Sequence, residues 1–300
     1  MNNSKLVFSL PPYILSENTT QKIMAKVIIA LFPTLIASGL IFGFKSIMLT
    51  LITISACIGF ECIYNILLKK EHSVADLSCI VTGIILAFNL PANSPWYLAV
   101  LGSFIAIIIV KQLFGGLGHN FVNPAMFANM VLIILFSNNL FSSAPPINAK
   151  LVPTKDTILT LLLGLYDGNL GETCAILLIS GGLYLILTKT ISAIIPFTYI
   201  GTVALFSYFT DKEPLIQILT GGLILGAFFI ATDFTTSPFT RSGKLIFGIC
   251  LGLLTTAIRL ISNSDYAVIA SILIMNLFVP LINSFTRQIP LGFKRRNLNV

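Results

Sequence analysis

Residues 111–126, Lys111-Gln112-Leu113-Phe114-Gly115-Gly116-Leu117-Gly118-His119-Asn120-Phe121-Val122-Asn123-Pro124-Ala125-Met126, separate two apolar runs with three glycines and two asparagines. Runs of this kind read as membrane helices, which places the break at or close to membrane depth. A bilayer core holds no water to satisfy irregular backbone. Such a segment persists only where it is buried in protein or lines a cavity or ligand site. The stretch therefore predicts a helical membrane bundle with a site at the break.

Composition extends that reading to the whole chain. Of 300 residues, 56% are hydrophobic and 10% charged, with a mean hydropathy of +0.94. A soluble domain carries about 25% charged residues. The fold class expected is an all-α polytopic membrane protein. Ten spans are predicted, at roughly 23–44, 46–68, 77–90, 96–113, 124–142, 172–188, 191–209, 215–232, 245–262 and 266–283. The third is short for the ~20 residues a spanning helix needs, and Pro91 ends it. The run Ile158–Tyr166 is too short to cross and is expected at the surface. Residues 1–300 read as one integral membrane domain, with an outer loop at about 137–171 and a basic tail at 284–300.

Charge placement fixes the expected orientation. With the N-terminus inside, thirteen basic residues, Lys111 among them, fall in inner segments and five, Arg259 among them, in outer ones. That is the bias of cytoplasmic loops, so both termini are expected in the cytoplasm of a cell whose plasma (inner) membrane holds the chain. Met1–Gln21 is polar and turn-rich and gives no expectation of a cleavable signal peptide. The net charge of +7 is accounted for by this bias and by anionic headgroups of the lipid bilayer. No basic, aromatic-interleaved soluble module is present, so no nucleic-acid partner is expected.

The chain repeats itself weakly. The third span carries Gly83-Ile84-Ile85-Leu86-Ala87 and breaks at Asn89-Leu90-Pro91; the eighth carries Gly222-Leu223-Ile224-Leu225-Gly226 and breaks at Thr232-Asp233. Each is third in its half. Two halves of five spans, at about 23–142 and 172–283, would be inverted repeats with broken third helices, an arrangement that places a site at the repeat interface. Chance is the other reading, because glycine–aliphatic strings are common in membrane helices.

Three constellations are candidates for chemistry. In the break, Gly115, Gly116 and Gly118 permit positive φ and close approach of a planar ligand. Pro124 suits the first turn of a helix capped by Asn123. Asn120 offers the donor and acceptor that a flavin or nucleobase edge requires; a re-entrant turn satisfied by its own caps is the alternative. At the end of the eighth span, Asp233 lies among Thr232, Thr235 and Thr236, either as a ligand or cation site or as a turn paired to Arg241 or Lys244. Glu61 sits inside the second span with no basic residue within a helical turn. Intramembrane carboxylates are functional candidates by default, so Glu61 and Asp233 are the candidate points of an ion path, with a hydrogen-bonded neutral Glu61 as the plainer alternative.

Other chemistries lack material. His72 and His119 do not make a bis-histidine haem pair inside a bundle. Cys57, Cys62, Cys79, Cys174 and Cys250 show no C-x-x-C, so neither a metal nor an iron–sulfur site is expected. No Walker loop, G-x-S-x-G or H-E-x-x-H is present. No residue is expected to be catalytic by itself.

With these residues in view, the chain resembles the D subunit of Rnf ion-translocating electron-transport complexes and, more distantly, the B subunit of the sodium-pumping NADH–quinone oxidoreductase. Six strings carry the resemblance in order: Leu10–Ile14 with Thr20–Met24; Val81–Ala87 with Leu90-Pro91 and Pro95-Trp96; Lys111–Asn120 with Asn123–Met126; Gly171–Thr173; Gly226–Asp233 with Thr236–Pro238; and Gly243–Gly248. The resemblance implies a flavin-bearing membrane protein. It would pass electrons within a complex that couples ferredoxin or NADH oxidation to sodium or proton movement, with the other subunits as partners. It also implies that Asn120 and Asn123 bind a flavin.

One departure stands out. The family carries FMN covalently, on a threonine of a Ser/Thr-Gly-Ala-Thr-like motif in the outer loop before the sixth span. That loop, 137–171 here, has no such motif; Thr154, then Thr157, are the nearest acceptors. The alternatives are covalent FMN, a non-covalent flavin such as riboflavin, loss of the flavin, or a divergent member with altered coupling. A small-solute channel or secondary transporter is the competing function, since inverted halves with broken helices would suit a pore equally well.

Overall fold

Thr19 accepts a hydrogen bond from the backbone N–H of Lys22 at 3.3 Å, and the first helix starts there. In the computed structural model, which describes residues 19–69, 76–136, 157–165, 168–172, 174–262 and 266–287, α1 (Thr20–Phe42) and α2 (Phe44–Leu67) form a hairpin around one residue, Gly43. Its φ of 83° explains the glycine. Ser46 Oγ donates to the Ser38 carbonyl at 3.1 Å and ties the two helices above the turn.

The helices that follow are α3 (Ser78–Phe88), α4 (Trp96–Phe104, continuing as a π-helix over Ile105–Gln112), α5 (Pro124–Leu135) and α6 (Thr157–Leu163). After a 3₁₀ turn at Leu170–Glu172 come α7 (Ala175–Leu187), α8 (Ile194–Phe209) and α9 (Pro214–Leu219). Next are α10 (Leu223–Leu225, continuing as a π-helix over Gly226–Ile230), α11 (Arg241–Ser262) and α12 (Ala267–Phe285). The described residues contain no strand, only an isolated antiparallel bridge between Pro91 and Asn169. Helices α1, α2, α11 and α12 are long and apolar enough to cross a membrane; α3, α4 with its π extension, α5, α7 and α8 are shorter apolar helices.

The predicted eighth span, 215–232, requires correction, because it is not one helix. Gly221 and Gly222 take φ of 64° and 67° between α9 and α10, which no right-handed helix can continue through. Arg259, expected as an outer-loop charge, is instead 6% exposed and fills this break. Its Nη1 donates to the Gln217 carbonyl at 2.6 Å and its Nη2 to the Thr220 carbonyl at 2.9 Å. Helix α6 packs against α7 and α9 and buries Leu161, while Ile158 and Leu159 in its first turn are exposed.

Glycines set the closest helix contacts. A Cβ on Gly171 would lie 2.5 Å from Phe88 Cβ and 2.8 Å from Leu225 Cδ2, so this residue lets α3 and α10 converge. A Cβ on Gly181 of α7 would lie 2.5 Å from the Ala30 carbonyl of α1. On α11, Gly248 and Gly252 form a GxxxG surface facing α8. A Cβ on Gly248 would collide with the Thr198 hydroxyl, and one on Gly252 would lie 2.5 Å from Thr202 Cβ. Small residues spaced this way let membrane helices meet by backbone contact. Gly252→Leu should therefore force α8 and α11 apart and destabilise the fold by about 1–3 kcal/mol or more. Thermal unfolding in mild detergent checks this, and Leu253→Ala, at a position 37% exposed, serves as the control expected to change little.

Candidate functional site

The break after α4 is shaped by backbone geometry. The carbonyls of Lys111 and Gln112 accept from the N–H groups of Gly116 and Gly115 at 2.9 and 3.2 Å. Gly115, Gly116 and Gly118 then take φ of 115°, 93° and 95°. A Cβ on Gly118 would meet no protein atom within 4 Å. This glycine is therefore needed for its conformation, and the space beside it is open.

Asn123 and Asn120 behave differently. Asn123 caps α5, its Oδ1 accepting from the N–H groups of Ala125 and Met126 at 3.1 and 3.3 Å. Its Nδ2 donates to Asp233 Oδ2 at 3.4 Å. In the amide orientation that its neighbours dictate, Asn276 of α12 accepts from the Asn123 backbone N–H at 3.1 Å and donates to the Thr236 carbonyl at 3.1 Å. The Asn123 side chain is thus engaged at both ends by protein. Asn120 is 8% exposed, and its Oδ1 has no hydrogen-bond partner. A buried acceptor left unmade costs about 1–3 kcal/mol, so this atom calls for a donor from elsewhere.

Asn120, Asn123 and Asp233 all line one cleft. It is a mixed polar and apolar cleft, with about 710 Å³ of empty space when open solvent at its mouth is included. Val81 and Ile85 of α3 form one wall, Phe228 and Phe229 of the second π-helix another, and Met24 and Val27 of α1 a third. π-Helical turns recur at functional sites because they re-aim side chains within a helix. Here both π segments deliver residues to the same cleft, Lys111 from the first and the two phenylalanines from the second.

Lys111 corrects two sequence expectations. It lies inside the bundle, not among the loop charges, and it is the partner that Glu61 lacked locally. Lys111 Nζ lies 2.9 Å from both Glu61 oxygens, with side-chain exposures of 2% and 0%. Lys111 Nζ also donates to Ser78 Oγ at 2.6 Å, and Gln112 Nε2 to Glu61 Oε1 at 3.1 Å. Ser78 Oγ in turn donates to Asp76 Oδ1 at 2.6 Å. With Lys111 and Arg259 both removed from the loops, the basic bias between the two sides persists, since each side loses one charge.

Asp233 does not pair with Arg241 or Lys244; among the described residues the ion pair is Lys111–Glu61. Asp233 Oδ2 accepts from the Thr235 and Thr236 hydroxyls at 3.0 and 3.4 Å. Thr154 lies outside the described residues, and Thr157 opens α6. Sequence reasoning missed Ser78, Asn129 and Asn276. The two asparagines carried a usable signal, a lone amide within an apolar span.

The profile of the NQR2, RnfD, RnfE family matches residues 7–292. The D subunit of the Na(+)-translocating ferredoxin:NAD(+) oxidoreductase complex of Acetobacterium woodii is 40% identical, with 96% of both chains covered. The D subunit of the proton-translocating ferredoxin:NAD(+) oxidoreductase complex of Clostridium ljungdahlii is 34% identical, again with 96% of both covered. The D subunit of an ion-translocating oxidoreductase complex of Stutzerimonas stutzeri is 33% identical over 93% of this chain and 94% of its own.

Proposed function

The chain belongs to the NQR2, RnfD, RnfE family, and from that premise we propose that it is the D subunit of an ion-translocating oxidoreductase complex in the plasma membrane. It works there with the other subunits of the complex, on the path that links ferredoxin oxidation to ion movement. Both termini are cytoplasmic in this reading, supported by the excess of basic residues on that side.

The two halves form inverted five-helix repeats, a reading supported by matched features in each. In each half a buried cation near the end of the fourth span reaches the broken third: Lys111 to Ser78, and Arg259 to Thr220. In each half an asparagine of the fifth helix donates to the break that follows the third: Asn129 to the Asn89 carbonyl at 3.1 Å, and Asn276 to the Thr236 carbonyl at 3.1 Å. Each third span begins again on a left-handed residue, Leu77 or Gly222.

The cleft between these halves is the flavin site, and the observation that carries this is the buried, unpartnered Oδ1 of Asn120. Asn120 would hold the polar edge of the ring system, Val81, Ile85, Phe228 and Phe229 would enclose its faces, and the glycine turn would give the entrance. Asn123 is a positioning residue, since its amide is engaged by the α5 cap and Asp233. A bound flavin would supply the electron-accepting and electron-donating chemistry. Lys111 sets a fixed positive charge at the cleft wall, and Glu61 holds that charge in place.

The test is flavin content of the assembled complex. Wild type is expected to retain a flavin in this chain, visible in its absorbance. Asn120→Leu, which breaks no hydrogen bond made by Oδ1 within the protein, should fold normally and lose the flavin by more than tenfold, the scale of one hydrogen bond left unmade. A colourless wild type, or an Asn120→Leu protein with full flavin, sinks the assignment. Intact mass of the same preparations reports whether a separate FMN is tethered at Thr154 or Thr157.

A further inference from the structure

A second concavity lies away from the cleft, where the start of α11 meets the end of α12. Phe239, Thr240, Arg241, Asn283 and Arg287 line it. Its frame is fixed by hydrogen bonds. Thr240 Oγ1 donates to Thr286 Oγ1 at 2.6 Å and accepts from the Gly243 N–H at 3.0 Å. The Phe239 N–H donates to Asn283 Oδ1 at 3.1 Å, which leaves Asn283 Nδ2 as a donor.

The groups offered to a ligand are therefore donors of one sign. Among the described residues no carboxylate forms an ion pair with Arg241 or Arg287. Two guanidinium groups and an amide N–H₂ in one concavity match an anion with several acceptor oxygens, and arginine suits phosphate better than any other side chain. The apolar surroundings narrow the choice. Phe239, which lines the concavity, is 79% exposed, and Leu245, one turn beyond Arg241 on the same face of α11, is 46% exposed. A free anion gains nothing from exposed hydrophobic side chains beside its site. In a membrane protein, cations at helix ends next to exposed apolar side chains mark the level where hydrocarbon gives way to headgroups.

We propose that Arg241, Arg287 and Asn283 bind the phosphodiester headgroup of an acidic phospholipid, with an acyl chain along Phe239 and Leu245. The site is separate from the flavin cleft and does not rest on the cleft's assignment. Free phosphate shares the headgroup chemistry, so the test separates the two sources.

The purified, delipidated complex is mixed with micelles containing phosphatidylglycerol or phosphatidylcholine, and the lipid retained is counted by native mass spectrometry. Wild type is expected to retain phosphatidylglycerol well above phosphatidylcholine. Each arginine should contribute about fivefold, the effect of one basic residue at an anionic membrane surface. Arg241→Gln with Arg287→Gln should bring retention down to the phosphatidylcholine level, while Arg241→Lys with Arg287→Lys keeps most of it. Equal retention of the two lipids by wild type overturns the proposal, and so does a glutamine double variant that retains phosphatidylglycerol as wild type does. Displacement of phosphatidylglycerol from wild type by excess inorganic phosphate marks a soluble-anion site and overturns the lipid assignment. The wild-type comparison stands even if the glutamine variant fails to assemble.

Discussion

Glu61→Ala should destabilise the folded chain by about 3–5 kcal/mol, because it strands a buried ammonium without its counter-charge. Lys111 would keep one hydroxyl partner, Ser78 Oγ, in a site where its side chain is 2% exposed. Lys111→Met should also be costly, because it removes the ammonium that faces both carboxylate oxygens of Glu61. The double variant Glu61→Leu with Lys111→Met should recover most of the loss, since a buried ion pair replaced by apolar side chains of similar size is often neutral or stabilising. Unfolding midpoints of wild type, Glu61→Leu, Lys111→Met and the double variant in mild detergent close the cycle. A Glu61→Ala protein that unfolds with wild type would show that the pair is hydrated or unimportant. The double variant then separates stability from function. It keeps the fold but removes the positive charge from the cleft wall, so retained stability with altered electron transfer would show that the pair is kept for the site.

Local features of the site were legible in the sequence. Asn123-Pro124 reads as a cap and first helical turn, and the structure shows Asn123 Oδ1 on the N–H groups of Ala125 and Met126. The glycines of the break read as positive-φ positions, and they are. What distance along the chain concealed was pairing. Glu61 and Lys111 were both visible, but fifty positions separate them, and no helical period joins residues on different helices. The loop assignment of Lys111 failed for a related reason: it lies at the end of its span and reads as a boundary charge unless its partner Glu61, on another helix, is known. The break at Gly221-Gly222 was hidden because a glycine pair hardly lowers the hydropathy of the run around it. Arg259 was the clue, a charge at the end of an apolar run that needed an internal partner.

That partner makes Arg259 the second residue whose loss should be large. Arg259→Leu leaves the carbonyls of Gln217 and Thr220 without their donors, at about 1–3 kcal/mol for each that stays buried. Lysine is no substitute. The two carbonyls are held by separate nitrogens of one planar fork, and an ammonium lacks that geometry. Arg259→Lys should therefore recover less than half of the loss. The damage should also be local. Arg259 lies eighteen residues beyond Arg241 on α11, or about 27 Å along the helix, so the clasp sits at the opposite end of α11 from the loop that carries Asp233. Hydrogen exchange should rise in residues 214–222 while the cap at Asn123 keeps its protection and the folded fraction keeps its flavin. Unchanged exchange at 214–222 would mean that the glycine pair holds the break unaided. Loss of flavin with the clasp would show that the two ends are coupled through the second π-helix, which joins the break to the cleft.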